Sequence, residues 1–203
     1  AAKSVDQSLE ALSHTLQDNG AELTVVPESS VILAAWHEFP GQGLWRGDRG
    51  SVAHDLDLTN RADLLAKLGG GPEAMADGEL LWRLYKKYGL DFLDLLRGQF
   101  GFALWDETEG NLIVATDPYG IRPVVYADLA QGLIAGTRIR HLMNYPDLKP
   151  EINPEAIYHY LFFSAIPTPL TIYKDVRKLE PGSALVAGNR SVRRQTYYDI
   201  RYH

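Results

Sequence analysis

Segments with the short, apolar character of β-strands come in runs along this chain, and helices separate one run from the next. In the clearest run, Phe100, Phe102 and Leu104 alternate as residues on one face of a strand do. The clearest helix is predicted over residues 77–88, where leucines and tyrosines recur at helical spacing. Parallel strands would need a crossover, usually helical, between successive strands. The order found here instead predicts an α+β protein with antiparallel sheets and helices packed outside them.

Sequence periodicity and turn signals locate the remaining elements. Strands are predicted at residues 23–26, 31–36, 51–58, 112–116, 122–126, 132–137, 183–187 and 191–198. Further helices are predicted at residues 6–17, 61–68 and 91–97, and from position 154 onward. Asn60 and Asn153 stand where helix N-caps are favoured. Residues 41–50 are rich in glycine and charge, which predicts a loop.

Size, charge and cysteine content exclude several classes of protein. A chain of 203 residues suits one large domain, and we expect a single domain over residues 1–203. The net charge of −6 argues against nucleic-acid binding, and no apolar run is long enough to span a membrane. Residues 1–20 are polar and lack a signal-peptide pattern, so we expect a cytoplasmic protein. Cysteine is absent, which excludes disulfides and a thiol nucleophile within these residues.

Common catalytic motifs are missing from the sequence. It contains no GxSxG elbow, no P-loop and no HExxH spacing. His54, Asp55 and Asp57 are close in sequence, but strand alternation places His54 on the other face, so we expect no metal there. Arg122 is predicted to pair with Asp117 and fix a turn. Composition and spacing alone therefore predict an α+β domain and leave its activity open.

Several segments, taken in order, resemble one known domain. ADGELLWRLYKKYGLDFLDLLRGQFGFALWD at residues 76–106 resembles a helix–helix–strand segment in the glutaminase domain of asparagine synthetases. The segments that follow are similar to successive parts of the same domain. They are NLIVATDPYGIRPVVYA (111–127), IRHLMNYPDLKPEINPEAIYHYL (139–161), TIYKDVRKLEPGSALVAG (171–188) and RRQTYYDI (193–200).

The resemblance covers nearly all of residues 55–203 and implies a fold and a reaction. The implied fold is an Ntn-hydrolase-like four-layer αββα sandwich of two antiparallel sheets. In that family an N-terminal cysteine hydrolyses glutamine, and the ammonia travels to an ATP-using synthetase domain. We therefore expect a synthetase domain, fused or separate, as the partner, and a homodimer is possible. ATP and Mg²⁺ would belong to that domain, and no cofactor is expected in this chain.

The resemblance also implies which residues would contact substrate. Asp77 matches the aspartate that holds the amino group of glutamine, although it is equally suited to cap its helix. The family's oxyanion Asn–Gly pair falls at Asp55 and the residue after it, and an ionised Asp55 could not donate a hydrogen bond. The family's arginine for the substrate carboxylate falls near Trp36 and His37, where no arginine stands. We expect Asp77 and Asp55 to bind substrate, and no residue of this chain to be catalytic.

These departures predict a degenerate glutaminase domain. We expect it to be inactive on glutamine and to serve as a scaffold for an ATP-dependent, amide-forming synthetase domain. One alternative is a stand-alone binding or interaction module, whose pocket between Trp36, Asp55 and Asp77 would hold a small amine or amino acid. Another is a true glutaminase truncated before its N-terminal cysteine, because the family's first strand is missing from these residues or altered.

Overall fold

The structure is a computed structural model that describes residues 23–27, 31–36, 39–130, 132–143, 145–188 and 191–199. The helix predicted over residues 6–17 lies outside them. In chain order the elements are β1 (Leu23–Pro27), β2 (Ile32–Trp36), β3 (Gln42–Arg46), β4 (Gly50–Leu58), α1 (Arg61–Lys67), α2 (Asp77–Tyr88), a 3₁₀ helix (Gly89–Leu95), β5 (Gly98–Asp106), β6 (Asn111–Thr116), β7 (Val125–Leu129), β8 (Gly132–Gly136), α3 (Ile139–Met143), α4 (Pro154–Phe163), β9 (Arg177–Lys178), β10 (Ser183–Gly188) and β11 (Ser191–Thr196).

The chain divides into two compact units. The larger one takes its described residues from Gly20–Arg122 and Pro181–His203, and the smaller one from Pro123–Glu180. The larger unit contains an antiparallel sheet with the spatial order β11-β10-β6-β5-β4-β3 and a separate β1-β2 hairpin. Antiparallel sheets accompanied by helices confirm the predicted α+β class. The single domain expected over residues 1–203 stays a prediction.

One face of the large sheet packs against α2 and carries the main core. Val52 and Leu56 of β4 pair with Leu104 and Phe100 of β5, and all four side chains are buried. Because successive strand residues alternate between faces, these even-numbered positions of the two strands share one face. Helix α2 contributes Leu80, Leu81 and Leu84, each fully buried, to the same core. The odd-numbered positions of β4, including Asp55, therefore lie on the opposite face.

The loop predicted over residues 41–50 is wrong. Strand β3 occupies half of this segment and pairs with β4, so that only a tight turn remains, closed by a 2.8 Å bond from Gly47 N to Gly50 O. Leu44 is half-buried, and the rings of Trp45 and Trp82 lie 6.1 Å apart. Strand pairing and the packing of Trp45 against α2 prevail over the local preference of glycine for loops.

Three further elements differ from the prediction. Residues 91–97 do not form an α-helix, because the segment Gly89–Leu95 is a 3₁₀ helix. The strand predicted over residues 122–126 begins only at Val125, because residues 117–122 form a turn around a buried carboxylate. Helix α3 was not predicted at all, and its five residues are too few to show a helical period.

The smaller unit contains a second antiparallel sheet with the order β8-β7-β9. Val125, Ala127, Leu142 and Val176 are among the buried residues of its core. Helix α4 begins as the sequence predicts, since Asn153 is its N-cap and accepts a 3.1 Å hydrogen bond from the backbone N–H of Glu155. None of the helices in the described parts of either unit is long and apolar enough to cross a membrane.

Candidate functional site

Asp55 is held by two polar side chains on the sheet face that points away from α2. Gln42, its partner across β3 and β4, donates a 3.2 Å hydrogen bond from Nε2 to Asp55 Oδ2. The guanidinium of Arg122 forms an ion pair with the same carboxylate, with 3.4 Å between Nε and Oδ1. The Asp55 side chain is 17% exposed. Its carboxylate is therefore largely withdrawn from water and neutralised from within the chain.

Arg122 reaches Asp55 because a buried carboxylate shapes the preceding turn. Asp117 is fully buried and accepts backbone N–H bonds from Tyr119 at 2.9 Å, Ile121 at 3.1 Å and Arg122 at 2.8 Å. The hydroxyl of Thr116 also donates to the carbonyl of Arg122 at 2.8 Å. The predicted pairing of Arg122 with Asp117 thus takes place through the backbone, and the guanidinium is left to pair with Asp55.

A polar row crosses the large sheet at this level. The register aligns Gln42 with Asp55, Asp55 with Gly101, and Gly101 with Thr116 on consecutive strands. Thr116 is fully buried, and the hydroxyl of Tyr197 donates to its carbonyl oxygen. Burial, and next the charge of Asp117, raises the pKa of Tyr197 far above its usual range, so this hydroxyl stays a donor at neutral pH.

Asp77 is the first residue of α2 and does not cap it. The N-cap position is occupied by Ala76, and no side chain provides a cap hydrogen bond, so the capping interpretation of Asp77 is wrong. The carboxylate forms an ion pair with Nη1 of Arg61, whose Nη2 donates to the carbonyl of Met75. Arg61 thereby joins α1 to the segment that precedes α2. The side chains of Asp77 and Arg61 are 34% and 27% exposed.

The two predicted substrate-binding residues have separate partners. His54, next to Asp55 on β4, faces α2, and its ring lies against the position of Gly78. Asp55 therefore points away from the helix that Asp77 begins. Nδ1 of His54 donates a 2.9 Å hydrogen bond to the carbonyl of Gly41. The roles predicted for Asp55 and Asp77 in substrate binding stay predictions.

The remaining predictions concern the pocket near Trp36 and His37 and a possible metal site. The side chain of Trp36 and the whole of His37 lie outside the described residues. Across the described ranges, no three His, Asp or Glu side chains form a group that could hold a metal ion. The sequence does not predict the ion pairs of Arg61 with Asp77 and of Arg122 with Asp55. The two residues of each pair are distant in sequence and come together only in the folded chain.

Comparison with solved structures shows which fold these elements form. The chain superposes on the glutamine phosphoribosylpyrophosphate amidotransferase of Bacillus subtilis with a TM-score of 0.58 and 18% sequence identity. The match covers 95% of this chain and 46% of that one. At 18% sequence identity, structural similarity is evidence for the fold and not for the activity. It confirms the Ntn-hydrolase-like fold expected from the sequence.

Sequence comparison defines the family. The profile of the glutamine amidotransferase domain family matches residues 59–198. A putative glutamine-hydrolysing asparagine synthetase of Mycobacterium tuberculosis is 34% identical over 136 residues, which are 66% of this chain and 21% of the relative. Asparagine synthetase 3 of Bacillus subtilis is 27% identical over 160 residues, or 77% of this chain and 26% of the relative. The chain belongs to the class II glutamine amidotransferase domains of the asparagine synthetase type. It spans about a fifth to a quarter of the length of these curated relatives.

Proposed function

We propose that this domain does not hydrolyse glutamine and that it serves as a scaffold for an ATP-dependent, amide-forming synthetase domain. The observation that carries the proposal is the environment of Asp55. This residue stands where the family resemblance places an oxyanion donor. A carboxylate paired with Arg122 and Gln42 offers lone pairs and no proton, so it would repel a developing oxyanion.

The environment of Asp77 supports the same conclusion. In the family resemblance this carboxylate holds the amino group of glutamine, but here the cation that it contacts is Arg61. A substrate ammonium group would have to displace Arg61 from the Asp77 carboxylate or share the carboxylate with it. Arg61 is also bound to the carbonyl of Met75. The 203 residues contain no cysteine, so a thiol nucleophile would have to come from outside them.

The scaffold role is supported by the relatives. The matched asparagine synthetases are several times longer than the segment they share with this chain. A domain that no longer supplies ammonia can still stabilise the synthetase domain by packing against it. ATP and Mg²⁺ would be bound by that synthetase domain, and free ammonia or an amine would be the nitrogen source.

Calorimetric titration of the native, full-length protein with L-glutamine tests whether glutamine binds when Asp55 and Asp77 are paired with arginines. We expect no saturable heat up to about 10 mM glutamine, which corresponds to less than about 3 kcal/mol of binding free energy. Saturable binding that is abolished in the Asp77→Asn variant would contradict this account. It would favour the alternative function, a module that binds an amino acid or amine.

A further inference from the structure

Helix α4 of the smaller unit exposes large apolar side chains to solvent. Ile157, Tyr158, Leu161 and Phe162 are 40%, 65%, 78% and 71% exposed. At about 100° per residue, these four positions fall on one side of a helix, and the fully buried Ala156 falls on the opposite side. We call these four side chains the outer stripe. Tyr160 and Phe163, on the other side of the helix, are also 56% and 61% exposed, so α4 shows apolar side chains to solvent around most of its surface. An ordinary surface helix instead keeps polar residues toward water.

The aromatic rings of the outer stripe pack against one another. Tyr158 and Phe162 are stacked with ring centroids 6.4 Å apart and an interplanar angle of 12°. Phe162 also meets Phe163 edge-on, with centroids 4.8 Å apart. Aromatic side chains have few rotatable bonds and lose little conformational entropy on binding, and tyrosine is frequent among the residues that dominate interface energies. A contiguous, exposed apolar surface of this kind marks an interaction site.

The relatives indicate what covers this surface. Only 21% of the Mycobacterium tuberculosis relative and 26% of the Bacillus subtilis relative align with this chain. In both proteins, most of the polypeptide lies outside the matched domain. A domain within a larger protein has an interface with the rest of it, and apolar residues collect there.

We propose that the outer stripe of α4 is the surface on which the synthetase domain docks. The inference rests on the proposed function, because it names the partner surface of the same scaffold. The partner would present an apolar groove that receives the helix, with Tyr158 and Phe162 as anchors. Glu151, three residues before the first residue of α4, forms an ion pair with Lys174, and this pair would lie at the polar rim of the interface.

Hydroxyl-radical footprinting of the native, full-length protein tests this proposal with an internal reference. Tyr158 and Tyr119 are 65% and 64% exposed, so they should be modified at similar rates if nothing covers either of them. We expect Tyr158 to be modified at least fivefold more slowly than Tyr119. Leu161→Glu, which places a charge in the outer stripe, should raise the rate at Tyr158 to that at Tyr119.

Ile121→Glu is the matched control, since Ile121 is a 51% exposed apolar residue of the larger unit. This variant should leave Tyr158 protected. Equal rates at Tyr158 and Tyr119 in the wild-type protein would overturn the proposal. Protection that disappears on dilution, together with a sedimenting mass of two chains, would overturn it too, because the surface would then be covered by a second copy.

The docking proposal and the proposed function can fail separately. The footprint measures the cover over Tyr158, whereas the proposed function concerns glutamine. A protein that hydrolyses glutamine and still protects Tyr158 would retain the docking surface and refute the inactive domain. A protein that does not hydrolyse glutamine and leaves Tyr158 unprotected would refute the docking surface and leave the proposal of an inactive domain standing.

Discussion

The carboxylate of Asp117 has no ion-pair partner among the described contacts, and backbone N–H groups surround it. Its bonds to Tyr119, Ile121 and Arg122 fix the turn that brings the Arg122 guanidinium to Asp55. We expect Asp117→Ala to lower the free energy of unfolding by about 3 kcal/mol or more, because it leaves several buried donors unpaired. Urea denaturation measures this loss. Asp147→Ala, at an exposed aspartate, is the control and should change stability by less than about 0.5 kcal/mol.

His141 in α3 provides a pH-dependent prediction. Burial, followed by the charges of Arg140 and Arg138, lowers its pKa from 6.5 to about 4. The folded state therefore binds fewer protons than the unfolded state between these two values, and stability is lost as the pH falls from 6.5 through 4. NMR titration of the His141 ring should give a midpoint near pH 4. A midpoint near the ordinary value of 6.5 would show that the ring is solvated.

At the scale of elements, Asn60 shows how a correctly placed residue can have a different role. It occupies the N-cap position of α1, but no cap hydrogen bond forms. Its side chain instead donates to Leu95 O at 2.9 Å and accepts from Arg97 N at 3.1 Å. Asn60 therefore links the start of α1 to the end of the 3₁₀ helix, although the two are distant in sequence.

Substitution by aspartate separates the two roles of Asn60. An N-cap tolerates aspartate, whereas a bridging residue would place a carboxylate oxygen against the carbonyl of Leu95. We expect Asn60→Asp to destabilise the protein by about 1–2 kcal/mol. Asn153→Asp, at the true N-cap of α4, should change stability by less than about 0.5 kcal/mol. Thermal denaturation of both variants is the measurement, and equal effects would refute the bridging role.

The elements also show what the sequence could predict. Alternating apolar residues located β5, and the helical period located α2 to the residue, because burial on one face imposes those periods. Local sequence does not predict strand β3, because Gly43 and the glycines that flank the strand resemble a loop and only pairing with β4 makes it a strand. At the site, Asp55 and Asp77 were recognised by resemblance. Their partners Arg122 and Arg61 were not, because long-range ion pairs have no local sequence signal.

At the scale of the whole molecule, family membership and activity are separate properties. The chain belongs to the glutamine amidotransferase domains, and its fold resembles that of the glutamine phosphoribosylpyrophosphate amidotransferase of Bacillus subtilis. Its two candidate substrate carboxylates are nevertheless paired with arginines of the same chain. A family fold can persist when its chemistry is lost, because packing and catalysis depend on different residues.

Glutamate release from L-glutamine by the native, full-length protein tests this account most directly. We expect no release above the uncatalysed rate, while amide formation continues with ATP and free ammonium ion. A glutamine-hydrolysing asparagine synthetase assayed in parallel shows that the method detects turnover. Glutamate release on the order of 1 s⁻¹ or faster would contradict the account, because that is an ordinary enzymatic rate.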